Sequence, residues 1–187
     1  LGEDTEIQQF YFEENASLLI RSFNENERKE KLRRISKSLT TEKTLLNRFG
    51  VEMDYPSAYE TVKDTTNFVW IQKPVQKGHL NIIAYTLGKS ALEGKYSERI
   101  LDIRDSIGKL FVPGRLKGSY FITERAFLPY FYKTELDQKK AFLTKGTWEV
   151  ANDFMAGPFV NYAVQDTIRK RWIVVEGFAF APSANKR

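Results

Sequence analysis

Residue types able to do covalent chemistry are scarce in this sequence of 187 residues, which contains no cysteine and a single histidine, His79. Thiolate nucleophiles, disulfides, iron–sulfur clusters and zinc sites built from cysteine and histidine are therefore excluded within it. His79 follows Gly78 at a predicted hairpin turn, where a surface histidine needs no function. We predict no cofactor, no metal site and no catalytic residue. An enzyme would have to act through carboxylates, Lys or Tyr.

One segment, from Lys145 to Val160, is a candidate ligand site. Its candidate binding residues are Trp148, Asp153, Gly157, Pro158 and Phe159. Gly157 and Pro158 stand at the start of a predicted strand, where they allow a bulge or the close approach of another backbone. The segment is also typical of a tight connection between two strands with Trp148 and Phe154 in the core. The residues favour this structural interpretation over a ligand site.

The formal charge of +5 raises the question of a polyanionic partner. Basic side chains lie on the exposed side of the predicted N-terminal helix, at Arg33, Arg34, Lys37 and Arg48. Glu27 and Glu30 stand four residues before Lys31 and Arg34, which is the favourable order for ion pairs along a helix. A solvated, ion-paired face accounts for these charges, and no nucleic acid partner is expected because no nucleic-acid-binding motif accompanies them.

The apolar spacing predicts a long N-terminal helix and one shorter helix. The long helix carries a capping-box sequence at Asn24 and Glu27, which predicts a break or bend near Asn24. Its apolar stripe comprises Leu32, Ile35, Leu39, Leu46 and Phe49, and Gly50 provides the stop. The shorter helix begins at Ser97 and ends at Pro113-Gly114. Its apolar stripe comprises Ile100, Ile103, Ile107, Leu110 and Phe111.

Runs of β-branched and aromatic residues predict a mainly antiparallel sheet, and hence an α+β fold with both helices packed on it. A hairpin is predicted from Phe68–Ile71 and Leu80–Leu87. Shorter strands are predicted within Tyr59–Thr66 and at Tyr120–Ile122, with an interruption at Pro129. A C-terminal three-stranded meander is predicted from Ala141–Val150, Phe159–Gln165 and Arg171–Ala181.

Several segments, taken together, resemble one protein family. The longest reads KGTWEVANDFMAGPFVNYAVQD from Lys145, and RWIVVEGFAFAPSANKR follows it from Arg171. The others are NFVWIQK from Asn67, RDSIGKLFVPG from Arg104 and GSYFITE from Gly118. As a set they resemble the C-terminal portion of domain of unknown function 4837, a family of uncharacterised lipoproteins of the Bacteroidota. Ala156 departs from the glycine that is usual in the family's Met-Gly-Gly-Pro run.

The resemblance implies a location in the cell envelope, on the periplasmic side, with a lipid anchor outside this chain as the only membrane attachment. It also implies that residues 1–187 form a single α+β domain that is part of a larger family domain, with an N-terminal segment and a final helix outside the sequence. Because the family has no assigned activity, it supplies no catalytic residue.

Three function classes remain open. The leading hypothesis is a non-enzymatic binding or interaction module whose partner is an envelope protein or a glycan. The enzymatic alternative is a carboxylate-dependent hydrolase of envelope glycans or peptides, for which Glu149 and Asp153 are the candidate pair. The third hypothesis is a basic nucleic-acid-binding domain, whose binding would weaken steeply with salt. The oligomeric state is not indicated.

Overall fold

The structure, a computed structural model, describes residues 3–180, with side chains described for residues 16 and 18 and from residue 20 onward. The chain forms two compact units. One unit ends at Thr41 and also includes Asp54–Ser57, and the other comprises Glu42–Met53 and the chain from Ala58 onward. The single domain expected over residues 1–187 stays a prediction.

The first unit consists mainly of helix α1, Glu3–Ile35. The break predicted near Asn24 is wrong, because the helix runs through this residue without interruption. Exposed ion pairs at helical spacing support it on both sides, Arg21 with Glu25 at 3.3 Å and Lys31 with Glu27 at 2.9 Å. Extending a helix by one turn costs less than starting a new one, so a capping-box sequence alone does not end it.

Helix α1 is shorter than the predicted N-terminal helix, which was to end at Gly50, because residues 36–43 are not helical. Helix α2, Thr44–Phe49, follows in the second unit and ends at Gly50, whose φ of 71° confirms the predicted stop. Leu45 and Phe49 are buried, whereas Leu46 is 40% exposed. The single apolar stripe expected from Leu32 to Phe49 is therefore wrong, because α1 ends at Ile35, α2 begins only at Thr44, and Leu32, Leu39 and Leu46 are exposed.

All eight strands of the described chain belong to one antiparallel sheet in the second unit. They are β1 (Glu60–Asp64), β2 (Phe68–Val75), β3 (Gly78–Gly88), β4 (Tyr120–Thr123), β5 (Tyr130–Leu136), β6 (Lys139–Ala151), β7 (Ala156–Asp166) and β8 (Arg171–Phe180). Their order is β1-β2-β3-β8-β7-β6-β4, and β5 pairs with β6 beside β4. The α+β class, the β2–β3 hairpin and the β6–β7–β8 meander are confirmed.

Strand β5 is missing from the sequence-based prediction. Pro129 directly precedes it, so the apparent interruption is the start of a strand. Asp137 and Gln138 form the turn to β6 with φ values of 51° and 56°. Two-residue hairpin turns with positive φ at both positions usually carry glycine at the second position, so the Asp-Gln pair does not indicate a hairpin in the sequence.

Helix α3, Tyr96–Phe111, packs on one face of the sheet and contacts β4. The predicted helix is confirmed, and four of the five predicted stripe residues pack against the core: Ile100 is buried, and Ile103, Ile107 and Phe111 are half-buried. The buried residues are Ile100, Leu101, Arg104 and Gly108, whereas Leu110 is 69% exposed. The inclusion of Leu110 in the stripe is therefore wrong, and Leu101, Arg104 and Gly108 are buried residues that the stripe left out.

Among the described residues, no helix combines the length and apolar composition needed to cross a bilayer.

Candidate functional site

A cleft of about 570 Å³ opens beside the first turn of α3. The short 3-10 helix Lys89–Leu92 and α3 line one side, β5 and β6 line another, and β7 and β8 contribute Gln165 and Trp172. The aromatic lining residues are Tyr96, Phe131, Tyr132, Phe142 and Trp172. A cavity of this volume, lined by aromatic side chains with a few polar groups, is typical of ligand sites.

Tyr96 organises the aromatic lining. Its ring stacks on Phe142 with centroids 4.0 Å apart and meets the ring of Phe131 edge-on at 6.2 Å. Its hydroxyl shares a hydrogen bond of 2.9 Å with the hydroxyl of Thr144, which is fully buried. Burial raises the pKa of Tyr96 to about 12, although the bond to Thr144 opposes the rise. The phenol therefore stays protonated at neutral pH and is a hydrogen-bonding group there, not a general base.

Three lysines, Lys89, Lys133 and Lys140, give the cleft a positive rim. All three are exposed, and none forms an ion pair with another described residue. The ammonium group of Lys140 lies 5.6 Å from the centroid of the Phe142 ring. Because Glu93 is the single carboxylate among the lining residues, the cleft favours anionic ligands.

A second cavity of about 210 Å³ continues the cleft towards the turn between β7 and β8. The two cavities share Lys89, Gln165 and Trp172 as lining residues. The second cavity adds Lys170 and Arg171 to the basic lining. The two neighbouring cavities, both with basic and aromatic lining residues, are together called the groove.

A row of buried polar side chains crosses the same face of the sheet. Thr144, Asn161 and Glu176 lie opposite one another on β6, β7 and β8. Glu176 accepts three hydrogen bonds from Arg104, at 2.8, 2.9 and 3.0 Å, and a fourth from Nδ2 of Asn161 at 2.9 Å. Arg104 is 1% exposed and Glu176 is not exposed at all, so this is a fully buried ion pair.

Arg104 has further contacts beyond Glu176. Its Nη1 donates to the hydroxyl of Thr123 at 2.8 Å, and that hydroxyl donates to Asp105 at 2.7 Å. Its guanidinium carbon lies 3.7 Å from the ring centroid of Phe159 and 4.4 Å from that of Phe121. Arg104 thus binds α3 to β8 through Glu176 and to β4 through Thr123.

Tyr85 completes the buried polar region. Its hydroxyl and the Oδ1 atom of Asn161 are buried without a hydrogen bond of normal geometry among the described residues, although Asn161 lies close enough to lower the pKa of Tyr85. Burial, and next the nearby carboxylate of Glu176, raise the pKa of Tyr85, while Arg104 opposes the rise. Tyr85 therefore stays neutral at physiological pH, and Arg104 and Glu176 remain the paired charges of this region.

Three of the five predicted ligand residues belong to the core. Trp148 is buried and its indole donates to the carbonyl of Ala179 at 3.2 Å. A Cβ atom on Gly157 would lie 2.1 Å from that carbonyl oxygen and 3.0 Å from the Trp148 indole nitrogen. Phe159 is buried against Arg104.

The other two predicted residues lie apart from this core contact. Pro158 is exposed, and Asp153 accepts two hydrogen bonds from Arg115 at 2.7 and 2.9 Å. Phe154, which the structural interpretation placed in the core, is fully exposed, so that expectation is wrong. Of the five residues, only Trp148 lines a cavity described here, a small one of about 120 Å³. Their role in ligand binding stays a prediction.

A comparison with known protein families shows to which family the chain is related. Residues 38–187 match the model of a family described as Domain of unknown function (DUF4837). The chain belongs to this family. No curated protein matches the chain. The cleft and the buried polar row of this DUF4837 domain both lie within the matched residues. In the part of the domain that the structure describes, no cluster of three or more His, Asp or Glu side chains could hold a metal ion.

The Arg104–Glu176 pair escaped the sequence-based prediction, although the sequence of the DUF4837 domain contains a signal for it. Arg104 falls on the apolar face of α3, one turn after Ile100. Glu176 directly follows the apolar run Trp172–Val175 and is, apart from Arg171 at the start, the one charged residue of the strand. One acidic and one basic residue, each alone on an apolar face, are best explained as partners in the core. The cleft had no comparable signal because its residues come from six separate segments.

Glu149 and Asp153, the pair considered for hydrolysis, have different surroundings in the DUF4837 domain. Hydrogen bonds from Arg115 hold the pKa of Asp153 below its usual value. Burial, and next the carboxylate of Glu124, raise the pKa of Glu149. Neither side chain lines the 570 Å³ cleft. Asp153 thus forms an ion pair with Arg115, whereas Glu149 lies beside another carboxylate, that of Glu124.

We expect Glu149→Gln to stabilise the domain at neutral pH. The raised pKa of Glu149 means that the folded state holds its proton more tightly than the unfolded state. This contribution to stability is fully present below the unfolded pKa of about 4.3 and is lost as pH rises through the higher folded pKa. Urea unfolding of the Gln variant and the wild type at pH 4 to 7 should give an advantage that grows with pH. Glu52→Gln, at an exposed position, is the control; an advantage independent of pH would contradict the carboxylate pair.

Proposed function

We propose that this DUF4837 domain is a non-enzymatic binding module of the cell envelope whose ligand is an acidic glycan. The observation that carries the proposal is the cleft in which five aromatic side chains meet three lysines without ion-pair partners among the described residues. The envelope location and the lipid anchor follow from the family resemblance and are part of the same proposal. Recovery of the full-length protein in a membrane fraction that detergent releases, and salt does not, checks them.

The aromatic lining and the lysine rim of the cleft both suit a sugar acid. The C–H face of a pyranose ring is apolar and slightly positive, and aromatic rings present a negative face to it. Exposed lysines at the rim offer ammonium groups to carboxylate or sulfate groups on the ring. Tyr96 is held by Phe142 and Thr144, and Trp172 by a hydrogen bond of 3.0 Å from its indole to the carbonyl of Lys89. Such fixed side chains lose little freedom when a ligand binds.

The presence of two neighbouring cavities supports a ligand of several sugars. The second cavity shares Lys89 and Trp172 with the first and continues the basic lining to Lys170. A ligand with one charge per ring could place successive acidic groups near successive cations along this groove. Many weak charge contacts of this kind give affinity that falls as salt is added.

The carboxylates of the groove do not support hydrolysis. Most glycoside hydrolases use two carboxyl groups on opposite sides of the bond that is cut. Glu93 is the carboxylate of the first cavity and Asp166 that of the second. Asp166 already accepts hydrogen bonds of 3.0 Å from the side chain of Arg171 and from the backbone of Arg169. A pair of free carboxylates is therefore not among the described residues of the groove, and this supports binding over catalysis.

The test is calorimetric titration with a tetrasaccharide of galacturonic acid and with maltotetraose, a neutral tetrasaccharide. We expect the acidic sugar to bind and salt to weaken the binding. The triple variant Lys89→Gln, Lys133→Gln and Lys140→Gln should bind it about 3 to 150 times more weakly, since exposed charge pairs contribute about 0.2–1 kcal/mol each. The control triple variant carries the same charge change at the exposed Lys43, Lys77 and Lys117.

Three results would count against the proposal. One is the absence of binding at about 1 mM acidic sugar, a concentration that detects even weak complexes. Another is equal weakening in the two triple variants, which would indicate attraction by the overall charge. The third is tighter binding of a single-stranded oligonucleotide of equal charge, because aromatic and basic grooves also bind single strands.

A further inference from the structure

Strand β5 leaves an open edge on the sheet. Among the described strands it pairs with β6 alone, so its other side offers unpaired backbone N–H and C=O groups. Side chains along the strand are accessible as well, with Tyr132 48% exposed and Leu136 46% exposed. An exposed strand of this kind is a template for pairing with another strand.

The sequence of β5 is complementary to itself when read in the opposite direction. In an antiparallel pair centred on Thr134, Lys133 of each strand stands opposite Glu135 of the other, and Tyr132 opposite Leu136. Opposite charges and an aromatic–aliphatic pair are favourable neighbours across antiparallel strands. Within the described chain, neither Lys133 nor Glu135 forms an ion pair, so both charges are available to a second copy.

The other free edges lack this complementarity. Strand β1 contains an irregularity between Thr61 and Lys63, which disrupts a regular ladder. Pairing β1 with itself about Val62 would place Glu60 opposite Asp64, and like charges disfavour such a pair. Strand β4 is only four residues long. The β5 edge is therefore the one suited to self-association among these.

We propose that the protein forms a twofold dimer in which the β5 strands of two copies pair antiparallel about Thr134 and join the two sheets. The interface places Lys133 beside Glu135 of the partner subunit, and by symmetry the contact occurs twice. The pairing spans five residues per chain, so the dimer belongs to the weak class of interfaces. It does not depend on the acidic-glycan proposal. The two proposals are linked, however, because Lys133 also lines the cleft and an acidic ligand there should favour the monomer.

Sedimentation velocity of charge-reversal variants tests the proposal. The wild type should be mainly dimeric at about 100 μM and mainly monomeric at about 1 μM, as expected for a small interface. Lys133→Glu or Glu135→Lys alone creates two like-charge contacts and should weaken association about 10-fold or more. The double variant exchanges the charges and should restore association to the wild-type level. Lys117→Glu, at an exposed position away from β5, should leave association unchanged.

A cross-linking variant tests the register independently of charge. Residues directly opposite in antiparallel strands have Cα atoms about 4.5–5.5 Å apart, within the range that disulfides span. Because the sequence has no cysteine, Thr134→Cys should give one intermolecular disulfide on oxidation, and Thr167→Cys, in the exposed turn before β8, should give far less. A wild type that is monomeric at about 100 μM overturns the proposal. So does a double charge variant that stays as weak as the single variants, or equal cross-linking of the two cysteine variants.

Discussion

Replacing Arg104 by Met should lower the free energy of unfolding by about 3–5 kcal/mol, because it leaves Glu176 as a buried charge without a cation. Glu176 has no exposed surface and receives three of its four hydrogen bonds from Arg104. The bond from Asn161 alone cannot replace them. Removal of Arg104 also leaves the hydroxyl of Thr123 without its buried donor, which adds to the cost.

Two matched variants separate burial from charge. Arg104→Met with Glu176→Leu removes both charges, and we expect it to be more stable than Arg104→Met alone, since buried ion pairs often contribute little relative to apolar residues. Arg125→Met breaks exposed ion pairs with Asp102 and Asp105 and should cost less than about 1 kcal/mol. Urea unfolding followed by tryptophan fluorescence gives all three values. A loss below about 1 kcal/mol for Arg104→Met would mean that Glu176 takes up a proton or reaches water instead.

Most of the sheet was predictable because several of its strands alternate between buried and less buried residues. In β7 and β8 buried and less buried residues alternate over much of the strand, so period-two patterns and the turn between the strands were visible in the sequence. Strand β5 was not, because five of its seven residues are exposed and its turn lacks glycine. Patterns reveal a strand through the face that it buries, and an edge strand buries little.

The candidate site was less predictable than the fold, for two physical reasons. Trp148 and Gly157 stood out in the sequence because tight backbone packing needs an unusual residue pair, and the structure uses them for packing between β6, β7 and β8. The cleft instead joins Tyr96, Lys133 and Trp172, which are ordinary residues in segments far apart along the chain. Its lining is assembled where β5 and α3 come into contact, and no local pattern in the sequence indicates that contact.

The fixed position of α3 on the sheet depends on Gly108. A Cβ atom at this position would lie 2.0 Å from the carbonyl oxygen of Phe121 and 2.9 Å from its carbonyl carbon. Both atoms belong to the backbone of β4, so relief requires the helix and the strand to move apart. The same contact holds Arg104, one helical turn earlier, within 2.8 Å of Thr123 on β4. Close packing at Gly108 thus sets the distance between α3 and β4 at which Arg104, the cation of the buried ion pair, reaches Thr123.

We therefore expect Gly108→Ala to destabilise the domain by about 1–3 kcal/mol or more, as overpacked cores do. Helix propensity acts in the opposite direction, since alanine is favoured over glycine inside a helix by about 1 kcal/mol. The steric term is the larger because the atoms in its way are backbone and cannot change rotamer. Gly88→Ala is the control, since nothing lies within 4 Å of its Cβ position, and it should change stability by less than about 1 kcal/mol. If urea unfolding shows Gly108→Ala to be as stable as the wild type, α3 can move off β4 freely, and the close contact does not determine the geometry of the buried ion pair.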